Sequence, residues 1–228
     1  MKTVGILGRN GFIGKTVLRR LREVFHVADE PEPCNVLINC AGFSRMYVAS
    51  QDPSKMEFVE DLVYRRIFNI PFQRLIHLST IYIEACPNHA YSKIKMNVEN
   101  RILSRWKNVT VLRLASVLGT GLQKNVIFDL THGLPLWVTP DSVYNYISSD
   151  EIANLLIHLV NNPMTGIINV GASESVKVSD IVGMVGVNTT YGKHKDNIVM
   201  NVSKLLEFYQ VKTSKEYVEE YWREFHAS

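Results

Sequence analysis

Residues 2–23 combine a short apolar run, three glycines at intervals of three and a helical apolar pattern, and no other stretch restricts the fold as much. Lys2-Thr3-Val4-Gly5-Ile6-Leu7 reads as a buried strand. Gly8-Arg9-Asn10-Gly11-Phe12-Ile13-Gly14 follows, and Lys15 to Glu23 places Val17, Leu18 and Leu21 at helical spacing. Between a strand and a helix the three glycines have separate roles. Gly8 allows the tight turn, Gly11 lets the backbone approach a pyrophosphate, and Gly14 lets the helix pack closely on the strand. Arg9, Asn10, Phe12 and Ile13 complete this candidate cofactor turn, where N–H groups at the helix N-terminus would hold phosphate charge. The plainer alternative is an ordinary strand-to-helix turn.

At 228 residues, 46% hydrophobic and 21% charged, the chain can bury a sizeable core as one α/β domain with a small appended lobe. A net charge of +3, with no Lys/Arg run beyond Arg19-Arg20-Leu21-Arg22, argues against a nucleic-acid partner. Cys34, Cys40 and Cys86 lack metal-ligand spacing, so no metal is expected, and they suit reduced thiols. The sequence shows neither a secretory leader nor an apolar run near the ~20 residues of a membrane helix. A soluble cytoplasmic protein without a membrane partner is the expectation.

Val24 to Ala28 reads as a second strand ending in Asp29, whose carboxylate could accept hydrogen bonds from an adenosine ribose and favour NAD. Arg9 could instead pair with a 2′-phosphate and favour NADP. NAD and NADP therefore both stand, and Asp29 is equally readable as a turn residue. Asn35 to Cys40 is a third strand running into Ala41-Gly42, which places Cys40, Ala41 and Gly42 beside the cofactor. A helix is expected from Asp52 to Asn69 with Phe58, Leu62 and Ile67 on its apolar side, then a strand over Arg74 to Leu78 that ends in Ser79-Thr80. Tyr91 to about Trp106 is helical again, and Val109 to Leu114 is a fifth strand.

This alternation predicts an α/β fold, a Rossmann-type doubly wound parallel sheet whose strand C-termini share one ligand-binding edge. Beyond Gly119 the texture changes to turns and aromatics. A helix from Asp150, its expected cap, to Val160 and a strand over Ile167 to Gly171 return to the core pattern. Short helices follow at Val178 to Val185 and Val202 to Phe208, with a terminal one from Ser214 to Phe225. The expected division is a dinucleotide-binding core over 1–120, completed by 145–172, with 121–144 and 173–228 forming a small C-terminal substrate lobe. Lys124, Asn125, Trp137 and Tyr144 are candidates for substrate contact, with surface-loop or core roles as the alternative.

Tyr91 and Lys95 stand four apart on a helix and so share one face. A phenol titrates near ~10, and a neighbouring ammonium lowers that value towards the range where general acid–base catalysis is efficient. Thr80, or Ser79, at the end of the fourth strand could hold a substrate carbonyl oxygen. Taken alone, such a Tyr/Lys pair is more often a surface pair; its place behind a strand ending in Ser-Thr, in a sheet that opens with a glycine turn, is what raises it.

The chain resembles the extended short-chain dehydrogenase/reductases, the branch of NAD-dependent epimerases, dehydratases and reductases that act on nucleotide sugars. The matching pieces stand in order: the Gly8–Gly14 turn, Asn39-Cys40-Ala41-Gly42, His77-Leu78-Ser79-Thr80-Ile81-Tyr82, and Tyr91-Ser92-Lys93-Ile94-Lys95. Arg113 to Gly119, Tyr146 to Ala153 and Asn169-Val170-Gly171 follow. The resemblance implies Thr80 and Tyr91 as catalytic residues, Lys95 lowering the tyrosine pKa and holding the nicotinamide ribose, a nucleotide-sugar substrate, and a homodimer formed through the helices carrying Tyr91 and Leu62. The chain departs from the pattern in three ways. One strand–helix unit is missing before Asn35, the segment between Thr80 and Tyr91 is short, and the family's helix asparagine has no match, Glu57, Glu60 and Asp61 occupying its neighbourhood. Ile81-Tyr82 also replaces the Asp-Glu pair of the family's dehydratases, which leaves carbonyl reduction as the leading expectation. A C4 epimerase with retained NAD is the alternative among enzymes, and a non-catalytic cofactor-binding regulatory or structural protein the alternative of another class.

Overall fold

The computed structural model describes residues 2–28 and 32–227. In chain order the elements are β1 (Thr3–Leu7), α1 (Phe12–Arg22), β2 (His26–Val27), β3 (Cys34–Asn39), α2 (Met46–Gln51), α3 (Pro53–Phe68), β4 (Phe72–Thr80), α4 (Tyr82–Ala85), α5 (Ala90–Arg105) and β5 (Val109–Leu114). They continue with β6 (Ser116–Leu118), α6 (Val126–Thr131), β7 (Val143–Tyr144), β8 (Tyr146–Ser148), α7 (Ser149–Asn161), β9 (Gly166–Val170), β10 (Val176–Lys177), α8 (Val178–Val185), α9 (Ser203–Leu206) and α10 (Ser214–Ala227). The chain divides into two compact units, one of Met1–Arg113 with Ala153–Ile168 and one of Leu114–Ile152 with Asn169–Ser228.

The first unit is built on a six-stranded sheet in the order β2-β1-β3-β4-β5-β9, with β1 paired in parallel to both β2 and β3, and β3 in parallel to β4. The chain leaves β1 for one side and then crosses to the other, so the strand order reverses between β1 and β3. A crevice outside the C-terminal ends of those two strands is where ligands bind in open sheets of this kind. Both faces are covered. Leu37, Leu75, Val109 and Val111 pack under Val63, Ile67, Val98 and Ile102 of α3 and α5, while Val4, Ile6, Val36, Ile38 and Ile76 on the alternate pleats are also buried. On the second face an Arg20–Asn154 hydrogen bond ties α1 to α7 (2.9 Å). Burial on both faces explains why these strands are near-continuous apolar runs.

Several sequence expectations change. β2 is confined to His26–Val27, and α1 begins at Phe12 because the glycine turn itself supplies its first residues. The buried stripe of α3 is Met56, Glu60, Val63 and Ile67; Phe58 and Leu62 face outward, 67% and 46% exposed. Of the three residues expected on the apolar side only Ile67 lies on the buried stripe, which carries the Glu60 carboxylate instead of Phe58 or Leu62. The cap at the start of α7 is Ser148, whose Oγ accepts the Glu151 N–H at 3.0 Å, not Asp150.

The second unit is smaller in sheet content: β6 pairs in parallel with β8, and β7 pairs antiparallel with β10. Its core is tied by Glu151, which accepts from the hydroxyls of Tyr209 at 2.6 Å and Tyr217 at 3.1 Å. No described helix is long and apolar enough to cross a membrane.

Candidate active site

The glycine turn closes by a Gly11 N–H to Gly8 carbonyl hydrogen bond of 2.9 Å. Gly8 sits at φ +74°, and a Cβ there would fall 2.4 Å from the Ala41 nitrogen. A Cβ on Gly14 would fall 2.1 Å from the Gly8 carbonyl oxygen. Both positions thus require glycine for the chain's own close approach of β1, α1 and the end of β3. Gly11 differs: its φ is −75°, it is exposed, and a Cβ there would meet only the Gly8 oxygen, at 3.2 Å. Gly11 precedes α1 as its N-cap without a side-chain cap, and the first turn holds no acidic residue. An uncovered backbone face beside the positive end of an 11-residue helix fits a dinucleotide pyrophosphate. Asn10 is exposed here, and Arg9, Phe12 and Ile13 are half-buried. Asp29 lies outside the described residues.

The end of β3 is shaped by Asn39. Its side-chain oxygen accepts the Ala41 N–H at 3.1 Å, and its amide nitrogen donates to the Ala41 carbonyl and to His77 Nδ1, at 3.2 and 2.9 Å. Burial, and then the Lys95 charge, push His77 down to about 3, so it is a neutral ring that holds Asn39 in place. The Cys40 thiol is pushed up to about 12 by burial and stays protonated. Gly42 closes the turn with φ +153°, and a Cβ there would lie 2.8 Å from Lys95 Nζ and 3.2 Å from Glu60 Oε1.

α5 starts where His89 accepts the Tyr91 backbone N–H at 3.1 Å. In its first turn Tyr91 is buried with Ala49 and Met56, within reach of the Thr80 side chain. Lys95 Nζ stands 5.9 Å from the Tyr91 ring centre and donates to Glu60 Oε1 at 2.5 Å, the two charged side chains being 7% and 2% exposed. Glu60 Oε1 also accepts the Phe43 N–H at 2.7 Å. Lys95 lowers the Tyr91 pKa as expected, but other effects outweigh it. Burial raises it most, Lys95 pulls it down, Glu60 raises it again, the Thr80 hydrogen bond lowers it, and the net direction is up. Lys95 is held protonated: burial works against its charge, but Tyr91, Glu60 and Glu99 more than offset that.

Thr80 and Ser79, adjacent in β4, point to different partners. Ser79 donates to Glu99 at 2.5 Å, and Glu99 in turn receives Arg113, whose guanidinium also reaches Glu84. The structure thus brings together Thr80, Tyr91 and Lys95, and engages Ser79 in a separate buried network. Glu60, Asn39 and His77 were not singled out as site residues from sequence. A glutamate on the buried stripe of α3 was the available signal, since a carboxylate there needs a buried partner. Glu57 is exposed and Asp61 pairs with Arg65 and Arg101 at the surface, so only Glu60 of the three acidic residues faces the site.

The remaining candidates belong to the second unit. Asn125, at φ 121°, caps α6 by accepting the Phe128 N–H at 3.0 Å. Lys124 beside it is exposed. Trp137 is 52% exposed and stacks on His194 at 5.0 Å. Tyr144 is buried and donates its hydroxyl hydrogen to Asp196.

No family model matches the sequence, and no curated protein matches it. Solved structures do match in fold. UDP-glucuronic acid 4-epimerase from Bacillus cereus, in complex with UDP-4-deoxy-4-fluoro-glucuronic acid and NAD, aligns over 99% of both chains at a TM-score of 0.83 and 14% identity. UDP-N-acetylglucosamine 4-epimerase from Methanobrevibacter ruminantium M1, in complex with UDP-N-acetylmuramic acid, aligns over 99% of this chain and 97% of its own, at 0.78 and 15%. dTDP-4-dehydrorhamnose reductase from Bacillus anthracis, in complex with NADP, aligns over 98% of both chains at 0.78 and 14%. At these identities the likeness establishes the fold, a Rossmann-type α/β architecture shared along the whole chain.

Proposed function

We propose that this chain is a nicotinamide-dependent oxidoreductase of the extended short-chain dehydrogenase/reductase family, which reduces a keto-sugar carried on a nucleotide. The observation that carries the reading is the buried Tyr91, with the Thr80 side chain acting on its hydroxyl and Lys95 one helical turn away. Tyr91, on α5, and Thr80, at the end of β4, belong to the same parallel sheet unit as the Gly8–Gly14 turn. The solved structures of the same fold that hold NAD, NADP or nucleotide sugars support the choice of cofactor and substrate class.

Gly11 and the N-terminus of α1 would hold the pyrophosphate, with Arg9 and Asn10 flanking it, and Cys40, Ala41, Gly42 and Lys95 would line the dinucleotide further along. Bound there, NADH or NADPH supplies a hydride. The chain's own part is protonic. The Thr80 hydroxyl orients the carbonyl oxygen, and Tyr91 gives its hydroxyl proton to that oxygen as negative charge develops. A phenol whose pKa is raised by burial enters this step already protonated at neutral pH. C4 epimerisation is the second reading, favoured by the two 4-epimerases among the structural matches. Titration with NADH and NADPH, followed by incubation with a panel of nucleotide keto-sugars and product mass, tests the proposal. Reduction gives a product two hydrogens heavier with cofactor consumed; the epimerase reading instead predicts that the protein with NAD+ converts a nucleotide sugar bearing a C4 hydroxyl into its C4 epimer, of equal mass and separated by chromatography; no affinity for any of these dinucleotides contradicts both.

A further inference from the structure

We infer that Glu60 is a positioning residue that holds the Lys95 ammonium as an ion pair, so that Tyr91 works as a protonated phenol, a proton donor, instead of as a phenolate. The inference rests on the reading of Tyr91 as the group that delivers the proton. Its basis is geometric. Lys95 Nζ and Glu60 Oε1 are 2.5 Å apart and both side chains are buried, so seen from Tyr91 the two charges form a compact dipole in place of a bare cation. Glu60 is itself fixed: the Phe43 N–H donates to Oε1, and the pair packs against Gly42, where a Cβ would fall 2.8 Å from Lys95 Nζ and 3.2 Å from Glu60 Oε1. Oε2 of Glu60 is buried with no hydrogen-bond partner among the described residues. Salt-bridge formation alone does not require this placement, since an ion pair needs no tyrosine beside it.

The other ionisable groups around Tyr91 do not supply the same effect. From β4, His77 is neutral and engaged with Asn39. From α5, Glu99 is engaged by Ser79 and Arg113. The Tyr82 ring of α4 meets Tyr91 edge-on at 6.4 Å, and His89 at the start of α5 accepts the Tyr91 backbone N–H. α2 offers Ala49 and Met46, which are apolar. Glu60 on α3 is the acidic side chain among these that contacts Lys95 directly. The cation that acidifies Tyr91 and the anion that opposes it are thus a matched pair, and removing the anion should leave the cation's effect uncovered.

The test reads the titration of Tyr91, not stability, because any buried partner of a lysine affects stability. Ultraviolet phenolate difference spectra of the wild type minus Tyr91→Phe isolate this residue among the ten tyrosines. The same subtraction is then made in Glu60→Gln. The expected result is a Tyr91 midpoint lower by about one to three pH units, the usual effect of an uncompensated cation at this range. Glu60→Asp, which keeps the charge but withdraws it by one methylene, should move the midpoint the same way by less, and serves if Glu60→Gln does not fold. A midpoint that stays or rises in a folded variant overturns the inference. Fluorescence titration with NADH on the same wild-type sample separates the two ideas. Binding of NADH with an unmoved Tyr91 defeats only the role of Glu60, whereas no NADH binding defeats the functional reading on which it stands.

Discussion

Gly11 and Gly14 lie three residues apart in one turn, yet their substitution should fail in different ways. A methyl on Gly14 would fall 2.1 Å from the Gly8 carbonyl oxygen, 2.8 Å from its carbon and 2.9 Å from Arg9 Cα. All three are backbone atoms and cannot swing aside, so α1 or the turn must move. Overpacking of this kind costs about 1–3 kcal/mol, and at roughly 2–4 °C per kcal/mol for a chain of this size Gly14→Ala should melt several degrees early. Gly11 has an extended conformation open to any residue, φ −75° and ψ 173°, and a Cβ there meets one atom at 3.2 Å. Gly11→Val therefore loses only the N-cap preference of glycine, about 1 kcal/mol or less. Its branched side chain would instead cover the backbone face offered to the pyrophosphate. Thermal denaturation with NADH fluorescence titration on both variants separates the effects. Gly14→Ala should be the less stable protein, and Gly11→Val a folded one without dinucleotide affinity. If Gly11→Val binds NADH as the wild type does, the turn is structural and the assignment of the cofactor site is wrong.

The buried His77 is neutral in the folded protein down to about 3, against an ordinary value of 6.5. The unfolded chain takes up a proton below its ordinary value while the folded one does not, so stability is full above that value and is lost as pH falls. That loss should approach about 1.4 kcal/mol per pH unit from this residue once the pH is well below 6.5, a slope that chemical denaturation between pH 4 and 5.5 should show and His77→Gln should remove. Glu99 is 1% exposed and receives both Ser79 and the Arg113 guanidinium. Glu99→Ala leaves the largely buried Arg113 with only the half-exposed Glu84 as a partner, and should cost up to about 3–5 kcal/mol in urea denaturation; a cost under 1 kcal/mol would show that Glu84 alone satisfies Arg113.

What sequence reveals and what it hides here follows the range of the interactions. The strand–turn–helix of residues 3–22 and the strand Val109–Leu114 are legible because local periodicity and glycine spacing specify them. β2 is less so, because its short pairing with β1 is set by the neighbouring strand and not by its own apolar content. The short helices α2 and α4 escape notice because neither is long enough to show a period. At the site, Tyr91 and Lys95 are legible as a pair by their spacing of four. Their electrostatics are not: the partner of Lys95 comes from α3, 35 positions earlier, and burial outweighs the ammonium in setting the proton of Tyr91. Phe58 and Leu62 show the same limit. Their size suggests a core face, but the stripe that reaches the sheet carries Glu60 instead, for a charge it meets only in three dimensions.

In the proposed reaction Tyr91 delivers a proton beside a bound nicotinamide. Wild type and Tyr91→Phe, each loaded with NADH or NADPH, should be mixed with the nucleotide keto-sugar that the panel identifies and followed through a single turnover by cofactor fluorescence and product mass. Both proteins should bind the dinucleotide alike, with wild type forming the reduced sugar and Tyr91→Phe slower by about 10²–10⁴. Equal rates of reduction in the two proteins would place the proton donor elsewhere and contradict the central claim.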